Sequence, residues 1–597
     1  MQTHAPDEVS NKPKNLLDWI EWAGNKLPEP ALLFALLAFF TIVLSAVGAS
    51  LDWSVQPVKP SMATELVIGP DGSSVETPVL DANGRPQLKL LESGALLKPR
   101  SLMTADGVYW MLSSMLRNFA QMPALPLIFV AMLGIGLAEK FGFFGALMRW
   151  LAFMTPARLL TPAVVFLGAN SSVASDAGYI ILPPLAAALY LAVGRHPVAG
   201  LAAAFAGVAG GFGGGLFPTG GDGVLTGFAQ DAARVIDPNY SVSILHNYYF
   251  KIVSAFVVTL GGWLVTDLIV EPRLKRHYPS ELQSAELAAI TNMALKPDER
   301  RSLYASLLTM LAVATLFLAL VLIPGMPLHG DGKPTLANGR VQATQAVLVL
   351  PADTQLEEGA TVLAREPLTV IADGPARLTE QPGPRWSQVI VPLIFIIFLV
   401  PGMVYGWFSG QLRNQAQLAD ALNHGIRSIV PVMVILFFLA QFVAYMGYSQ
   451  LDRMLAYAGG SFLFNVDVPI PVLMVLFVLV VVLGDFAMSG MLSKFGVLAP
   501  IFIPMFMIVG MSPELTTAAY RIGDSVVNIV TPLNSYILII LAVLQKYRAK
   551  AGLGTLIALM LPYSVVLGLL WTAMLVMWYL TGFPLGPASP LNYSPGM

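Results

Sequence analysis

The run LYASLLTMLAVATLFLALVLI, residues 303–323, contains no charged side chain. A helix of about twenty apolar residues crosses the roughly 30 Å hydrocarbon core of a bilayer. Comparable runs recur along the chain at Ala31–Val47, Val389–Val404 and Leu556–Leu580. A shorter apolar piece such as Val472–Leu483 indicates an interrupted span. The pattern predicts an all-α, multi-pass membrane protein.

The composition supports a membrane protein and excludes several kinds of functional site. Of the 597 residues, 56% are hydrophobic and 12% are charged, whereas about a quarter of the residues are charged in a soluble domain. The formal net charge is −2 and no basic tract suggests a nucleic-acid partner. There is no cysteine, so disulfides, thiolate metal sites and cysteine nucleophiles are excluded. Since no pair of His residues has metal-ligand spacing, we expect neither an enzyme nor a cofactor.

Basic residues set the expected orientation, because short cytoplasmic loops carry an excess of Lys and Arg. Such residues cluster in Glu271–Arg301 and again at Lys546, Arg548 and Lys550, whereas Thr581–Met597 carries no charge. The first two segments are therefore placed in the cytoplasm and the last in the periplasm of a bacterial inner membrane. The stretch Leu16–Leu27, with Trp19 and Trp22, is typical of a helix lying on the membrane surface; a frayed terminus is the alternative.

These signals divide the chain into segments. The predicted order is a cytoplasmic amphipathic N-terminus at 1–28, a first span at 29–50, a periplasmic insertion at 51–105, a first transmembrane half at 106–270, a cytoplasmic basic loop at 271–301, a span at 302–323, a second periplasmic insertion at 324–386, a second transmembrane half at 387–581 and a periplasmic tail at 582–597. Ala346–Leu350 and Pro367–Ile371 read as short strands. The insertions are expected to be either small β-rich lobes or solvated spacers.

Two polar segments, one in each apolar half of the chain, have a similar pattern of residues. SDAGYIILPPL at 175–185 and GDSVVNIVTPL at 523–533 each place an Asp eight residues before a Pro-Leu pair. Segments broken by small and polar residues precede them, GANSSVA at 168–174 and GDFAMSG at 484–490. Broken helices at membrane depth are tolerated where protein or a watery cavity satisfies the backbone, and they supply ion and substrate sites. We predict an inverted repeat with two opposed re-entrant hairpins, each followed by a helix unwound near its proline; coincidence is the alternative.

Charged side chains inside apolar stretches locate the expected site, because each costs roughly 2.5–3.5 kcal/mol even on the lenient insertion scale. They are Asp176, Asp485, Lys494, Arg521 and Asp524. Arg521 and Asp524 lie three residues apart, so a helix would place them on one face as a pair. The alternative to a binding role is an ion pair that only holds helices together. Three carboxylates against two cations leave room for a bound Na⁺ or proton. Lys494 is expected at a hairpin tip or snorkelling to an interface.

Oxygen ligands suit Na⁺ as they suit other hard cations. The candidate ion ligands are Asn170, Ser172, Asp176, Asp485, Asp524 and Ser525. The glycines between Gly207 and Gly221 lack the Gly-Lys-Ser/Thr ending of a phosphate loop, so they indicate close helix packing or a break in a span. Asp222 is expected in a solvated loop, and Asp267 at the boundary of a span.

At these residues the chain resembles the p-aminobenzoyl-glutamate transporter (AbgT) family. The matching stretches are Leu17–Glu21 with Gly24–Pro28, Ser175–Tyr179, Gly194–Pro197 with Gly200–Val208, and Ala499–Phe506 through Ser512–Thr516 to Tyr520–Ser525. The resemblance implies a homodimer in which each subunit has about nine transmembrane helices and two opposed hairpins. It also implies cation-coupled transport of aromatic amides or amines, either p-aminobenzoyl-glutamate uptake or efflux of sulfonamide-type antimetabolites.

The resemblance assigns pocket roles to particular residues. Asp176, Pro513, Arg521, Asp524 and Pro532 coincide with residues that the family uses to bind substrate. Three positions depart from the family pattern, which usually has Asn at Asp485, Ser near Leu492 and Trp at Phe495. We keep Asp485 and Phe495 as candidate substrate contacts, Phe495 by stacking on an aromatic ligand. A changed pocket could take another organic anion, and a passive channel is the rival from a different class.

Overall fold

The computed structural model of the chain describes residues 30–68, 74–79, 88–92, 94–122, 124–174, 177–277, 295–329, 336–342, 348–350, 361–363, 368–371, 375–378, 386, 389–485, 490–534, 536–549, 551–587 and 589–593. Three subjects of the sequence predictions lie outside these residues: the surface helix at Leu16–Leu27, the candidate Asp176, and residues 486–489.

Helices make up most of the described chain. They are α1 Pro30–Ser50, α2 Ala105–Ala120, α3 Ala124–Lys140, α4 Phe143–Met154, α5 Leu160–Asn170, α6 Ala177–Ala192, α7 Pro197–Gly210, α8 Gly220–Ala233, α9 Tyr248–Val265, α10 Glu271–His277, α11 Pro297–Leu322, α12 Ile390–Phe408, α13 Gln415–Ser449, α14 Leu451–Val466, α15 Ile470–Asp485, α16 Met491–Ile508, α17 Pro513–Asn528, α18 Ile537–Tyr547 and α19 Leu553–Thr581. A π-helical turn, Thr266–Val270, joins α9 to α10.

Seven of the helices in the described ranges are long and apolar enough to cross a membrane. They are α1, α9 with α10, α11, α12, the Ile429–Ser449 part of α13, α16 and α19. An eighth span results if α3 and α4, which are bent by 62° at their junction, count as one. The prediction of an all-α, multi-pass membrane protein is confirmed. The helices α5, α6, α7, α15 and α18 are apolar but shorter, as expected of interrupted spans.

The same order of elements occurs in both halves. A pair of helices (α5 and α6, or α15 and α16) is followed by a broken pair (α7 and α8, or α17 and α18) and then by a long helix (α9 or α19). The contacts correspond as well, since α5 packs on α7 and α15 packs on α17.

The predicted match between the two Asp-to-Pro spacings is wrong. Pro183 and Pro184 lie in the interior of α6, whereas Pro532 lies between α17 and α18. In the order of elements, α17 corresponds to α7, not to α6. The helix that is interrupted after the first pair is therefore α7, which ends at Gly210 and resumes as α8 at Gly220.

The glycines between Gly207 and Gly221 provide both the close helix packing and the break in a span that the sequence indicates. Within α7, a Cβ at Gly207 would lie 2.5 Å from the carbonyl oxygen of Val165, and one at Gly168 would lie 2.7 Å from the backbone of Gly207. Only glycine allows α5 and α7 to approach this closely. Gly211–Gly215 follow as the non-helical connection to α8.

Both insertions contain strands. In the first, β1 Val58–Met62 pairs with β4 Leu88–Glu92, and β2 Thr64–Ile68 pairs with β3 Ser74–Pro78, both antiparallel. The strands of the second are β5 Leu336–Gln342, β6 Leu348–Leu350, β7 Thr361–Leu363, β8 Leu368–Ile371 and β9 Pro375–Leu378. There β5 pairs with β9, and β8 lies between β6 and β7. This pairing favours β-rich lobes over solvated spacers.

Candidate functional site

Helix α17 is buried along almost its whole length although it is polar. The Oγ of Ser512 caps it by accepting a hydrogen bond from the N–H of Leu515 at 3.1 Å, and Pro513 occupies its first turn. Proline is favoured there because the first amides of a helix have no partner within it. Residues 513–527 are all buried. Buried polar groups need partners, so the groups that surround Arg521 and Asp524 define a candidate site.

A first buried cluster consists of Asp485, Lys494 and Asp524. The Nζ of Lys494 lies 2.6 Å from Oδ1 of Asp524 and also contacts Oδ1 of Asp485. Asp485 ends α15 and Lys494 lies in the first turn of α16, and both helices pack against α17. The three side chains are 1–3% exposed. Two carboxylates share one ammonium here, and Oδ2 of Asp485 has no hydrogen-bond partner among the residues that the structure describes.

A second buried cluster consists of Asp222, Lys251 and Arg521. The Nη2 of Arg521 lies 2.7 Å from Oδ1 of Asp222, and Nζ of Lys251 lies 2.6 Å from Oδ2 of the same carboxylate. Asp222 also accepts a hydrogen bond from the N–H of Thr219 at 2.6 Å, which caps α8. The Nε of Arg521 donates to Oδ1 of Asn247 at 3.1 Å. Two cations share one carboxylate in this cluster.

Three expectations are corrected by these contacts. Arg521 and Asp524 do not pair, because Arg521 reaches across to α8 while Asp524 is satisfied by α16. Lys494 is buried between two carboxylates, so it neither occupies a hairpin tip nor snorkels. Asp222 is buried rather than solvated.

Sequence reasoning missed Lys251 altogether. It is the only charged residue in the apolar stretch that forms α9, so the rule that found the other charges would have found it as well.

Two of the remaining candidate residues, Asn170 and Ser525, lie at the connection between α7 and α8. The Oδ1 of Asn170 accepts a hydrogen bond from the N–H of Leu216 at 2.8 Å, and Oγ of Ser525 accepts one from the N–H of Gly213 at 2.8 Å. Ser172 is not part of this arrangement, and its buried Oγ has no partner within the described ranges. Pro532 is half-buried in the connection after α17.

Phe495 lies inside the protein in this conformation. Its ring centroid is 4.5 Å from that of Tyr520 and 6.3 Å from that of Phe228, and the side chain is fully buried. An aromatic ligand would have to displace one of these rings to stack on Phe495. A stacked pair of rings joins the two halves, since the ring centroids of Tyr179 and Tyr536 lie 4.3 Å apart with an interplanar angle of 13°.

A third ionic cluster lies apart from α17. Arg195, in the turn between α6 and α7, pairs with Asp267 and Glu271 at the junction of α9 and α10. Its Nη1 also donates to Oγ1 of Thr161 at 2.7 Å. These contacts connect α5, the turn between α6 and α7, and the junction of α9 and α10, where Asp267 was expected at the boundary of a span.

Comparisons with known proteins agree on one family. The model of the AbgT putative transporter family matches residues 15–350 and 367–593. The chain is 31% identical over 579 residues to the p-aminobenzoyl-glutamate transport protein of Escherichia coli K12, which covers 97% of each protein.

Two solved structures resemble the fold. The YdaH transporter of Alcanivorax borkumensis, described as having an unusual topology, superposes with a TM-score of 0.75 at 32% identity, covering 94% of this chain and 100% of its own. MtrF of Neisseria gonorrhoeae, described as illuminating a class of antimetabolite efflux pumps, superposes with a TM-score of 0.76 at 33% identity, covering 96% of this chain and 100% of its own.

Proposed function

The chain belongs to the AbgT transporter family, and we propose from this that it carries p-aminobenzoyl-glutamate or a related aromatic amide across the bacterial inner membrane, coupled to Na⁺ or H⁺. It is a multi-pass transport protein and not an enzyme. A homodimer, implied by the family resemblance, is part of the proposal.

The observation that carries the coupling is the Asp485–Lys494–Asp524 cluster. Two carboxylates and one ammonium leave one negative charge in a place that solvent does not reach. An uncompensated buried charge is strongly destabilising, so a monovalent cation or a proton is stabilised there. Because Asp485 ends α15 and Lys494 lies in the first turn of α16, binding of that cation changes the contacts that hold these helix ends against α17. Such a change can link cation binding to movement of the helix pair.

Carbonyl oxygens at the helix breaks would complete the coordination of Na⁺. Within the described ranges, no three His, Cys, Asp or Glu side chains are arranged to hold a metal ion. A Na⁺ ion at Asp485 and Asp524 would therefore also need backbone or hydroxyl oxygens, which interrupted helices provide. A proton needs only one carboxylate oxygen, and Oδ2 of Asp485 has no other partner among the described residues.

The names of the relatives suggest two candidate functions, of which one has a stated direction. The E. coli relative is named for p-aminobenzoyl-glutamate transport, and MtrF is described as representing antimetabolite efflux pumps. Both directions use the same buried site, because the direction of a coupled carrier follows from the gradients of its substrate and ion. Export of sulfonamide-type antimetabolites is therefore the second candidate function.

We expect Asp524→Asn to abolish gradient-driven transport, lowering the initial rate at least about a hundredfold, which corresponds to about 2.7 kcal/mol. The amide cannot hold the charge that pairs with Lys494. The measurement is uptake of radiolabelled p-aminobenzoyl-glutamate, and separately of a sulfonamide, into proteoliposomes with an imposed Na⁺ or H⁺ gradient. Asp467→Asn is the matched control, because Asp467 is exposed and has a positive φ of 51°, which Asn accepts readily.

Each outcome decides between named alternatives. Transport that responds to one gradient and is lost in Asp524→Asn, but not in Asp467→Asn, identifies the ion and supports coupling through this cluster. Flux that ignores both the gradients and the substitution contradicts coupling and favours a passive channel. Absence of flux for both compounds, in folded wild-type protein, refutes the proposed substrates and favours another organic anion.

A further inference from the structure

The segment that follows α19 lies against both halves of the protein. Its described residues, 585–587 and 589–593, are called the strap below. The side chains of Leu585, Leu591 and Tyr593 are buried, with exposed fractions of 0%, 7% and 5%. Burial removes these large apolar side chains from water, so the strap is anchored in the protein rather than lying loosely on its surface.

On one side the strap pairs with the turn between α16 and α17. The N–H of Ser512 donates a hydrogen bond to the carbonyl of Leu591 at 3.3 Å. The N–H of Tyr593 donates to the carbonyl of Gly510 at 2.8 Å. The Oγ of Ser512, which caps α17, donates to the carbonyl of Pro590 at 2.7 Å. Hydrogen bonds to the main chain of the strap therefore fasten the N-terminal end of α17.

On the other side the strap contacts α9 and the connection that precedes it. The N–H of Phe250, in the first turn of α9, donates to the carbonyl of Leu585 at 3.1 Å. The ring centroid of Tyr593 lies 5.8 Å from that of Tyr240, in the connection between α8 and α9. The Oη of Tyr240 in turn donates to a carboxylate oxygen of Glu514, in the first turn of α17, at 2.8 Å. The strap therefore fastens the N-terminal end of α9 as well.

An equivalent contact exists in the first half of the chain. There Arg195, in the turn before α7, pairs with Asp267 and Glu271 in the segment that follows α9. In the order of elements α7 corresponds to α17 and α9 to α19. The strap thus joins the equivalent segments of the second half, the turn before α17 and the residues after α19. Since different residues make the same connection in both halves, the contact belongs to the architecture of the repeat.

We propose that the strap is a positioning element, which joins the N-terminal ends of α9 and α17 and stays attached while substrate crosses the membrane. Lys251 of α9 and Arg521 of α17 both contact the carboxylate of Asp222. Asn247, which precedes α9, accepts a hydrogen bond from Arg521 and donates one to the carbonyl of Glu514. Hydrogen bonds tolerate only small changes in distance, so a shift of one helix along the other would break these contacts. The strap acts on the second cluster through the two helices, whichever compound is transported.

A disulfide tests whether the strap stays attached, because the chain has no cysteine of its own. Met511 and Asn592 face each other in an antiparallel bridge, between two main-chain hydrogen bonds. The Cα atoms of such a pair lie about 4.5 Å apart, which a disulfide can span. Oxidised Met511→Cys/Asn592→Cys should take up radiolabelled p-aminobenzoyl-glutamate into proteoliposomes within about twofold of the reduced protein and of wild type. Val55→Cys/Leu97→Cys, at an antiparallel bridge in the first insertion, is the matched control for oxidation.

Tyr593→Ala tests whether the strap positions the helices, because it removes the ring that packs on Tyr240. We expect uptake to fall at least about tenfold, and amide hydrogen exchange to increase in the first turns of both α9 and α17. Oxidation of the same variant carrying the Met511→Cys/Asn592→Cys pair should restore both quantities. The disulfide between residues 55 and 97 should restore neither, which separates positioning from general stabilisation. Tyr593→Phe keeps the packing and should behave as wild type.

Three results would overturn the proposal. Loss of uptake in the oxidised Met511→Cys/Asn592→Cys protein, reversed by reduction, would show that the strap releases in each cycle. Increased exchange in α17 alone would show that the strap does not join the two helices. Normal uptake in Tyr593→Ala, despite increased exchange in both, would show that transport does not need the connection.

Two further cases remain decidable. If wild type does not transport p-aminobenzoyl-glutamate, hydrogen exchange in Tyr593→Ala and its reversal by oxidation still decide whether the strap joins α9 and α17. In that case only the proposed function is refuted. If Tyr593→Ala does not fold, uptake by the oxidised Met511→Cys/Asn592→Cys protein decides.

Discussion

Replacing Lys494 by methionine is expected to lower the free energy of unfolding by about 3–5 kcal/mol, the usual cost of removing one partner from a buried ion pair. Methionine fills most of the volume of lysine but leaves Asp485 and Asp524 facing each other without the ammonium between them. Transport should be lost as well, since the cluster could no longer alternate between Lys494 and the coupling cation. The measurement is thermal unfolding of purified protein in detergent, followed by tryptophan fluorescence, together with proteoliposome flux.

Lys140→Met provides the matched control. Lys140 also pairs with a carboxylate, Asp420, at 3.0 Å, but the two side chains are 40% and 47% exposed. Exposed ion pairs contribute little to stability because water already solvates both charges, so this variant should unfold close to wild type. The double variant Asp485→Asn with Lys494→Met should recover part of the loss, because it removes one of the two like charges. If Lys494→Met were as stable as Lys140→Met, the buried cluster could not be an ionised one.

Substituting Gly136 by alanine is expected to disrupt the packing of α3 on α13 and cost about 1–3 kcal/mol or more. A Cβ at Gly136 would lie 2.2 Å from the Cα of Gly425, and one at Gly425 would lie 2.3 Å from the carbonyl oxygen of Met132. Backbone atoms cannot turn away as a side chain can, so the two helices would have to separate along their contact. The fraction of protein that elutes as a single folded species from detergent size exclusion, and its unfolding temperature, measure this effect.

Gly554→Ala tests whether the effect comes from the contact rather than from helix propensity. Gly554 lies in α19 and a Cβ there would meet no atom within 4 Å. Alanine should therefore leave stability unchanged or raise it by up to about 1 kcal/mol, the difference in helix propensity. Equal behaviour of the two variants would show that α3 and α13 adjust to the methyl group without cost.

Much of the fold could be predicted because its signals are local. The length of an apolar run of about twenty residues can be compared directly with the thickness of the bilayer core. A polar or small residue that interrupts such a run is visible in the same stretch of sequence. Asp485, Lys494, Arg521 and Asp524 were found in this way, since a charge within an apolar stretch is conspicuous without knowledge of any partner. Lys251 carries the same signal in α9, and the structure shows that it belongs with them.

The Asp-to-Pro comparison shows where local matching misleads. The spacing from Asp to Pro is identical in the two halves, yet Pro184 lies within α6 and Pro532 lies after α17. A proline inside an α-helix and a proline at a break look alike in one dimension, because the surrounding helices decide whether the freed backbone groups are satisfied. The correspondence of α7 with α17 follows from the order of elements and from their packing.

The sequence by itself determined the membrane class, the family and four charged residues of the site, Asp485, Lys494, Arg521 and Asp524, because hydropathy and the cost of a buried charge act along a single segment. Only the tertiary structure decided which charges meet. Asp222 and Lys251 lie on the consecutive helices α8 and α9, whereas Arg521 lies on α17 in the other half of the chain, and it pairs with Asp222 although Asp524 is three residues away. Ion pairing depends on distance in space and on the removal of water, and both are set by how the helices pack.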